Sequence, residues 1–173
     1  HPRFVYADVG FLETLPERQM RGGLAEVLKY GVIHQAGFFR WVMQKRSEIF
    51  ARCPEILQTV VATSAGIKAE VVSRDERESH LRMILNFGHT FGHALERMTR
   101  YRQYTHGEAV AIGMVIAARL SRKMGYCDKA TEEEIREGVR IVGLPSDIPS
   151  LSSTLWLRAI GVDKKRHGGK IRF

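Results

Sequence analysis

The stretch from Thr105 to Gly125 constrains the fold most. Thr105–His106–Gly107–Glu108 has the form of a capping box, Thr followed three residues later by Glu, so it opens a helix. That helix carries Gly107, Ala109, Ala111, Gly113, Ala117 and Ala118, and Gly125 fits the cap that ends it. Side chains this small let other helices approach closely, so the helix is expected at the centre of a helical domain. The box also puts His106 in the first turn, at the mouth of the helix.

The flanking segments agree with that architecture. From Glu17, apolar residues at 20, 24, 27, 28 and 32 predict a helix. Gly22 and Gly23 inside it cost roughly 1 kcal/mol each in propensity, which points to close approach of another backbone or a ligand. Glu26 in this run either faces solvent, paired with Lys29 or Tyr30, or has a role in the interior. FFRWVMQKRSEIF is a second helical piece. Pro54 starts a long helix with the stripe Leu57, Val60, Val61, Ser64, Ile67, Val71, and Lys68 lies on its edge. A lysine there can snorkel, or it can serve as an anion ligand. The charge run from Arg74 to Glu78 is expected to end the helix in solvent. TEEEIREGVRIVGLP and SLSSTLWLRAIG add two more helices, and VDKKRHGGKIRF reads as a basic loop running into a strand. FVYADVG near the start is β-rich. The expected fold class is therefore mainly α, a single helical domain over residues 1–173, with short β segments only at the two chain ends.

Charge and composition narrow the function. The net charge of +8 fits any anionic partner, a phosphorylated or carboxylated small molecule as well as nucleic acid. No nucleic-acid motif is present, and no apolar run reaches the roughly 18 residues of a membrane span. Cys53 and Cys127 lack metal-type spacing and fit a reducing, cytoplasmic setting. His1–Pro2 at the start and an unfinished strand at Phe173 read as a piece of a longer protein.

The chemistry gathers around LNFGHTFGHALE. His89 and His93 are four residues apart, hence on one helical face, and extending that face backwards adds Asn86 and Arg82. Met83, Phe87, Phe91, Leu95 and Met98 form the opposite, apolar face. A catalytic zinc takes three protein ligands and keeps a fourth position open. Glu26, His89, His93 and His106 are the candidates, and two histidines with one carboxylate meet that count. No HExxH motif is present. Lys29, Lys68, Arg82, Asn86 and the pair Lys164–Lys165 are either ordinary surface groups of a basic protein or the lining of a cleft for a polyanionic, polyhydroxylated ligand.

RGGLAEVLKYGVI, DERES with HLRMILNFGHTFGHALE, HGEAVAIGM and DKK, in that order and spacing, resemble the C-terminal domain of the 3-dehydroquinate synthase family, within the sugar-phosphate cyclases. Where the family has glycine just before Leu81–Arg82, this chain has Ser79–His80. The resemblance implies a two-domain enzyme whose Rossmann-like, NAD-binding N-terminal domain lies outside this chain, which has no glycine-rich βαβ fingerprint. It implies Glu26, His89 and His106 as zinc ligands, with cobalt able to substitute, and His93 beside the metal as a proton-transfer and substrate-binding residue. Lys29, Lys68, Arg82 and Asn86 would hold the substrate's hydroxyls, carboxylate and phosphate. Either Lys164 or Lys165 would join them, and Glu78 would be a further active-site carboxylate.

The implied reaction converts 3-deoxy-D-arabino-heptulosonate 7-phosphate into 3-dehydroquinate plus phosphate, a shikimate-pathway step. It runs through transient oxidation by NAD, phosphate elimination, re-reduction and aldol closure. The full-length protein would be a homodimer, and this chain alone would have no turnover. Two other readings stay open: a cyclase making 2-deoxy-scyllo-inosose or an epi-valiolone, and a basic helical module that binds nucleic acid or protein.

Overall fold

The computed structural model describes residues 3–76, 81–150 and 152–164, with side chains in the last helix described as far as Gly161. The chain is built of helices: α1 Glu17–Ile33, α2 Ala36–Gln44, α3 Arg46–Phe50, α4 Pro54–Arg74, α5 His89–Met98, α6 His106–Lys123, α7 Lys129–Ile141 and α8 Ser153–Lys164. Short 3-10 helices cover Val9–Leu12 and Leu81–Asn86. No strand occurs among the described residues. No helix among them is long and apolar enough to cross a membrane.

α6 is the hub. Its capping box is complete: the Thr105 hydroxyl accepts from the Glu108 backbone, and the Glu108 carboxylate accepts from Thr105 N–H. From Ala109 to Val115 every side chain is at most 3% exposed, so the helix is apolar nearly all round, as a central helix must be. α5, α1 and α7 pack directly on it. Two close approaches set the spacing. A Cβ on Gly107 would lie 2.3 Å from the Gly22 carbonyl oxygen, and one on Gly113 would lie 2.0 Å from that of Gly88. Backbone therefore meets backbone where α1 and α5 cross α6. Gly23, by contrast, has no atom within 4 Å of such a Cβ, so the expected close approach holds for Gly22 alone.

Several expectations are corrected. The β-rich run at the N-terminal end forms no strand: residues 4–8 are irregular and pass into the 3-10 helix Val9–Leu12. Phe4, Val5 and Tyr6 are each more than 80% exposed, and a strand without a neighbour has no ladder to join. The β segment expected at the other end lies outside the described residues. Asp163 and Lys164 continue α8 instead of starting a loop. The stripe 82, 86, 89, 93 is not one helix. Gly88, at φ 81°, takes the left-handed conformation and separates the 3-10 turn Leu81–Asn86 from α5. Only glycine fits at this break, since a Cβ on Gly88 would sit 2.9 Å from both Val110 O and Met114 N of α6. Finally, Asp75 is buried rather than solvated; its carboxylate accepts from Arg82 N–H at 3.0 Å and folds the chain back after α4.

Candidate metal centre

Three helices deliver one side chain each to a common point. α1 brings Glu26, one turn beyond Gly22; α5 begins at His89, immediately after the Gly88 break; α6 begins at His106, beside Gly107. The Gly22–Gly107 and Gly88–Gly113 contacts thus hold these three residues together. Arg18 strengthens the α1–α6 junction with two 2.7 Å hydrogen bonds to the Glu108 carboxylate. Those bonds hold the Glu108 carboxyl below its ordinary range against a smaller opposing effect of burial.

Ligand-type atoms of Glu26, His89 and His106 all lie within 4.8 Å of one another. Glu26 Oε2 accepts from the buried Lys29 ammonium at 2.6 Å, while Oε1 lies 3.3 Å from His89 Nε2. Burial raises the Glu26 carboxyl, but hydrogen bonding and charge from His89 and Lys29 outweigh it and bring it to about 2. Glu26 is accordingly an anion over the whole physiological range.

With His89 neutral, no proton satisfies this group. His89 Nδ1 lies 3.3 Å from the Phe87 carbonyl oxygen, which can only accept, so a neutral His89 turns the lone pair of Nε2 towards Glu26 Oε1. Oε1 is fully buried and has no well-directed donor. Two acceptors facing each other across 3.3 Å are reconciled by a cation between them. Nitrogen and carboxylate oxygen are the donor set that suits zinc. The residues present therefore fit the metal.

The other predicted residues divide. His93 adjoins the group, its ring centroid 5.5 Å from that of His89 and 5.9 Å from that of His106. Lys29 is part of it. Arg82 and Asn86 sit on the separate 3-10 turn, where the Arg82 guanidinium donates to Glu76 O at 3.1 Å. Lys68 is exposed on α4 and is not brought to the cluster by any contact among the described residues. Glu78, Lys165 and the side chain of Lys164 lie outside the described residues. One carboxylate went unnamed in the sequence: Glu96 on α5, buried, with Oε1 3.2 Å from His106 Nδ1. Extending the His89–His93 face forwards by three residues, rather than backwards, reaches it.

Known proteins share this arrangement of helices. Curated relatives named 3-dehydroquinate synthase, from Acidithiobacillus ferrooxidans (strain ATCC 53993 / BNL-5-31) and Thermodesulfovibrio yellowstonii, are each 49% identical over 99% of this chain. The match covers 47% and 48% of those proteins, so the chain spans about half the length of the curated relatives it matches. A solved 2-epi-5-epi-valiolone synthase from Streptomyces hygroscopicus subsp. jinggangensis, with NAD+ and Zn2+ bound, superposes with a TM-score of 0.83 at 30% identity. That superposition covers 94% of this chain and 45% of the other. A 2-deoxy-scyllo-inosose synthase complexed with carbaglucose-6-phosphate, NAD+ and Co2+ gives 0.83 at 29% identity, over 99% of this chain and 47% of that one. The family model described as 3-dehydroquinate synthase C-terminal matches residues 23–166, and the chain belongs to that family.

Proposed function

We propose that this chain is the metal- and substrate-binding part of a 3-dehydroquinate synthase acting on 3-deoxy-D-arabino-heptulosonate 7-phosphate in the cytoplasm. The observation that carries the reading is the meeting of Glu26, His89 and His106 from three helices around a buried, unsatisfied carboxylate oxygen. These three would hold zinc, or cobalt in its place. The metal would supply a Lewis acid to the substrate's vicinal hydroxyls, favouring oxidation at the carbon that gives its hydride to NAD+.

The protein's own groups do the rest. Lys29 holds Glu26 as an anion and in one orientation through its 2.6 Å hydrogen bond. His93, next to both histidine ligands, offers an imidazole nitrogen to receive or return the hydroxyl proton. Lys68, Arg82, Asn86, Glu78 and one of Lys164 and Lys165 would bind and orient phosphate, carboxylate and hydroxyls, so that elimination and ring closure follow in one pocket. NAD would sit mainly on an N-terminal domain beyond this chain, and the full-length protein would pair as a homodimer. The net charge of +8 matches a substrate carrying phosphate and carboxylate.

Relatives at 49% identity carry the synthase name, whereas the solved cyclases for other carbocycles stand at 29–30%, which favours the heptulosonate as substrate. The test is phosphate release by the full-length protein with zinc and NAD, given the heptulosonate, glucose 6-phosphate or sedoheptulose 7-phosphate in parallel. Turnover of the heptulosonate alone is expected. Turnover of only one of the other two sugars contradicts the assignment. The 173-residue chain by itself is expected to release no phosphate from any of them.

A further inference from the structure

Lys29, Asp75 and Glu96 are the buried charged side chains among the described residues. Lys29 is matched by Glu26, and Asp75 by the Arg82 backbone. Glu96 has no part in the function proposed above, and a buried carboxylate is costly unless something pairs with it. Its partner is His106: Glu96 Oε1 lies 3.2 Å from His106 Nδ1.

That pairing answers a difficulty in the metal centre. The His106 side chain is 52% exposed and sits at the first position of α6. A half-exposed imidazole there can turn about two side-chain torsions and can carry its proton on either nitrogen. A metal ligand needs one orientation and one free lone pair. Glu96 is itself 7% exposed and fixed on α5, which packs along α6. As a carboxylate it only accepts, so Nδ1 must carry the hydrogen and the lone pair is left on Nε2. His89 is treated the same way by the Phe87 carbonyl, 3.3 Å from its Nδ1. Both rings are thus tethered through Nδ1 to an acceptor, with Nε2 left free.

We propose that Glu96 is the positioning residue of the metal centre: it orients His106, fixes its tautomer and raises its strength as a ligand. The inference rests on reading Glu26, His89 and His106 as the metal ligands. Carboxylates placed behind metal-bound histidines typically contribute 10- to 100-fold in affinity.

Glu96→Gln keeps the shape of the side chain while removing its charge, and the buried amide can donate as readily as it accepts. Two measurements test the proposal. Long-range proton–nitrogen NMR of the metal-free chain reports the His106 tautomer, with His106→Ala supplying the assignment. Chelator competition reports the zinc affinity. The wild type is expected to show the Nδ1–H form, and Glu96→Gln a mixture of tautomers with zinc held about 10- to 100-fold more weakly at an unchanged unfolding temperature. An unchanged tautomer together with unchanged affinity overturns the proposal. So does lost affinity with the tautomer intact, which makes Glu96 a direct ligand alongside His93 and His106. A variant that no longer folds overturns it too, by making the carboxylate purely structural. If the wild type binds no zinc but the tautomer still depends on Glu96, the metal reading fails and the orienting role stands.

Discussion

Gly107→Ala puts the geometry of the centre under direct strain. The added Cβ would lie 2.3, 2.4 and 2.6 Å from the carbonyl oxygen, Cα and carbonyl carbon of Gly22. All three are backbone atoms, so no side chain can swing aside. Ordinary contact begins near 3.4 Å, so α1 and α6 must part by about 1 Å at this point. Forcing extra volume into a packed interface costs about 1–3 kcal/mol. For a domain of this size that lowers the unfolding temperature by roughly 2–12 °C. The same displacement separates Glu26, one turn along α1, from His106, the neighbour of the substituted residue. Zinc affinity is therefore expected to fall by about tenfold or more, since 1.4 kcal/mol is a factor of ten. Gly23→Ala is the control: nothing lies within 4 Å of its Cβ, and the change should stabilise α1 by about 0.5–1 kcal/mol. Calorimetry and a zinc titration on both variants decide the matter. Wild-type stability and affinity in Gly107→Ala, or equal damage in Gly23→Ala, would show that the Gly22–Gly107 contact does not hold the site together.

Three further outcomes follow from the same contacts. Gly88→Ala combines a left-handed backbone at φ 81° with a Cβ 2.9 Å from Val110 O, so urea unfolding should show a loss of roughly 2–5 kcal/mol; a loss below about 1 kcal/mol contradicts the break between the 3-10 turn and α5. Lys29→Ala leaves Glu26 Oε2 without its 2.6 Å donor and should destabilise the metal-free chain by roughly 1–3 kcal/mol, whereas wild-type stability would show the pair to be idle. Arg18 holds the Glu108 carboxyl below its ordinary range, so this contribution is fully present above the unfolded carboxyl's value of about 4.3 and is lost as the pH falls through the lower folded value. Unfolding temperatures from pH 6 down to pH 3 should therefore fall more steeply for wild type than for Glu108→Gln; parallel curves count against it.

Legibility in the sequence followed the range of the forces involved. The start of α6 was readable because a capping box is local chemistry between a side chain and its own turn. The central place of α6 was readable because small residues at helical spacing have few other uses. The break at Gly88 was not, since the periodicity of LNFGHTFGHALE continues smoothly through it; the close approach of Val110 and Met114 from α6, which leaves no room for a side chain at Gly88, is a tertiary fact. Gly22 and Gly23 look alike in sequence, yet only one of them meets another backbone. Glu96 is not legible in the sequence because its burial depends on α5 lying along α6, a tertiary fact, although its position shares the His89–His93 face. Phe4, Val5 and Tyr6 have strand-forming side chains but no neighbouring strand, so propensity found nothing to act on. The separate roles proposed for His89 and His93 rest on the family resemblance. Spacing alone makes them equivalent.

Glu26, His89 and His106 are proposed to hold one divalent metal ion. Metal analysis of the purified wild type beside Glu26→Ala, His89→Ala and His106→Ala, each checked for native helix content by circular dichroism, tests it directly. About one equivalent of zinc is expected in the wild type, with nearly all of it lost in each folded variant, because a catalytic zinc takes three protein ligands. Equal zinc in all four proteins, or none in a folded wild type supplied with the metal, would contradict it.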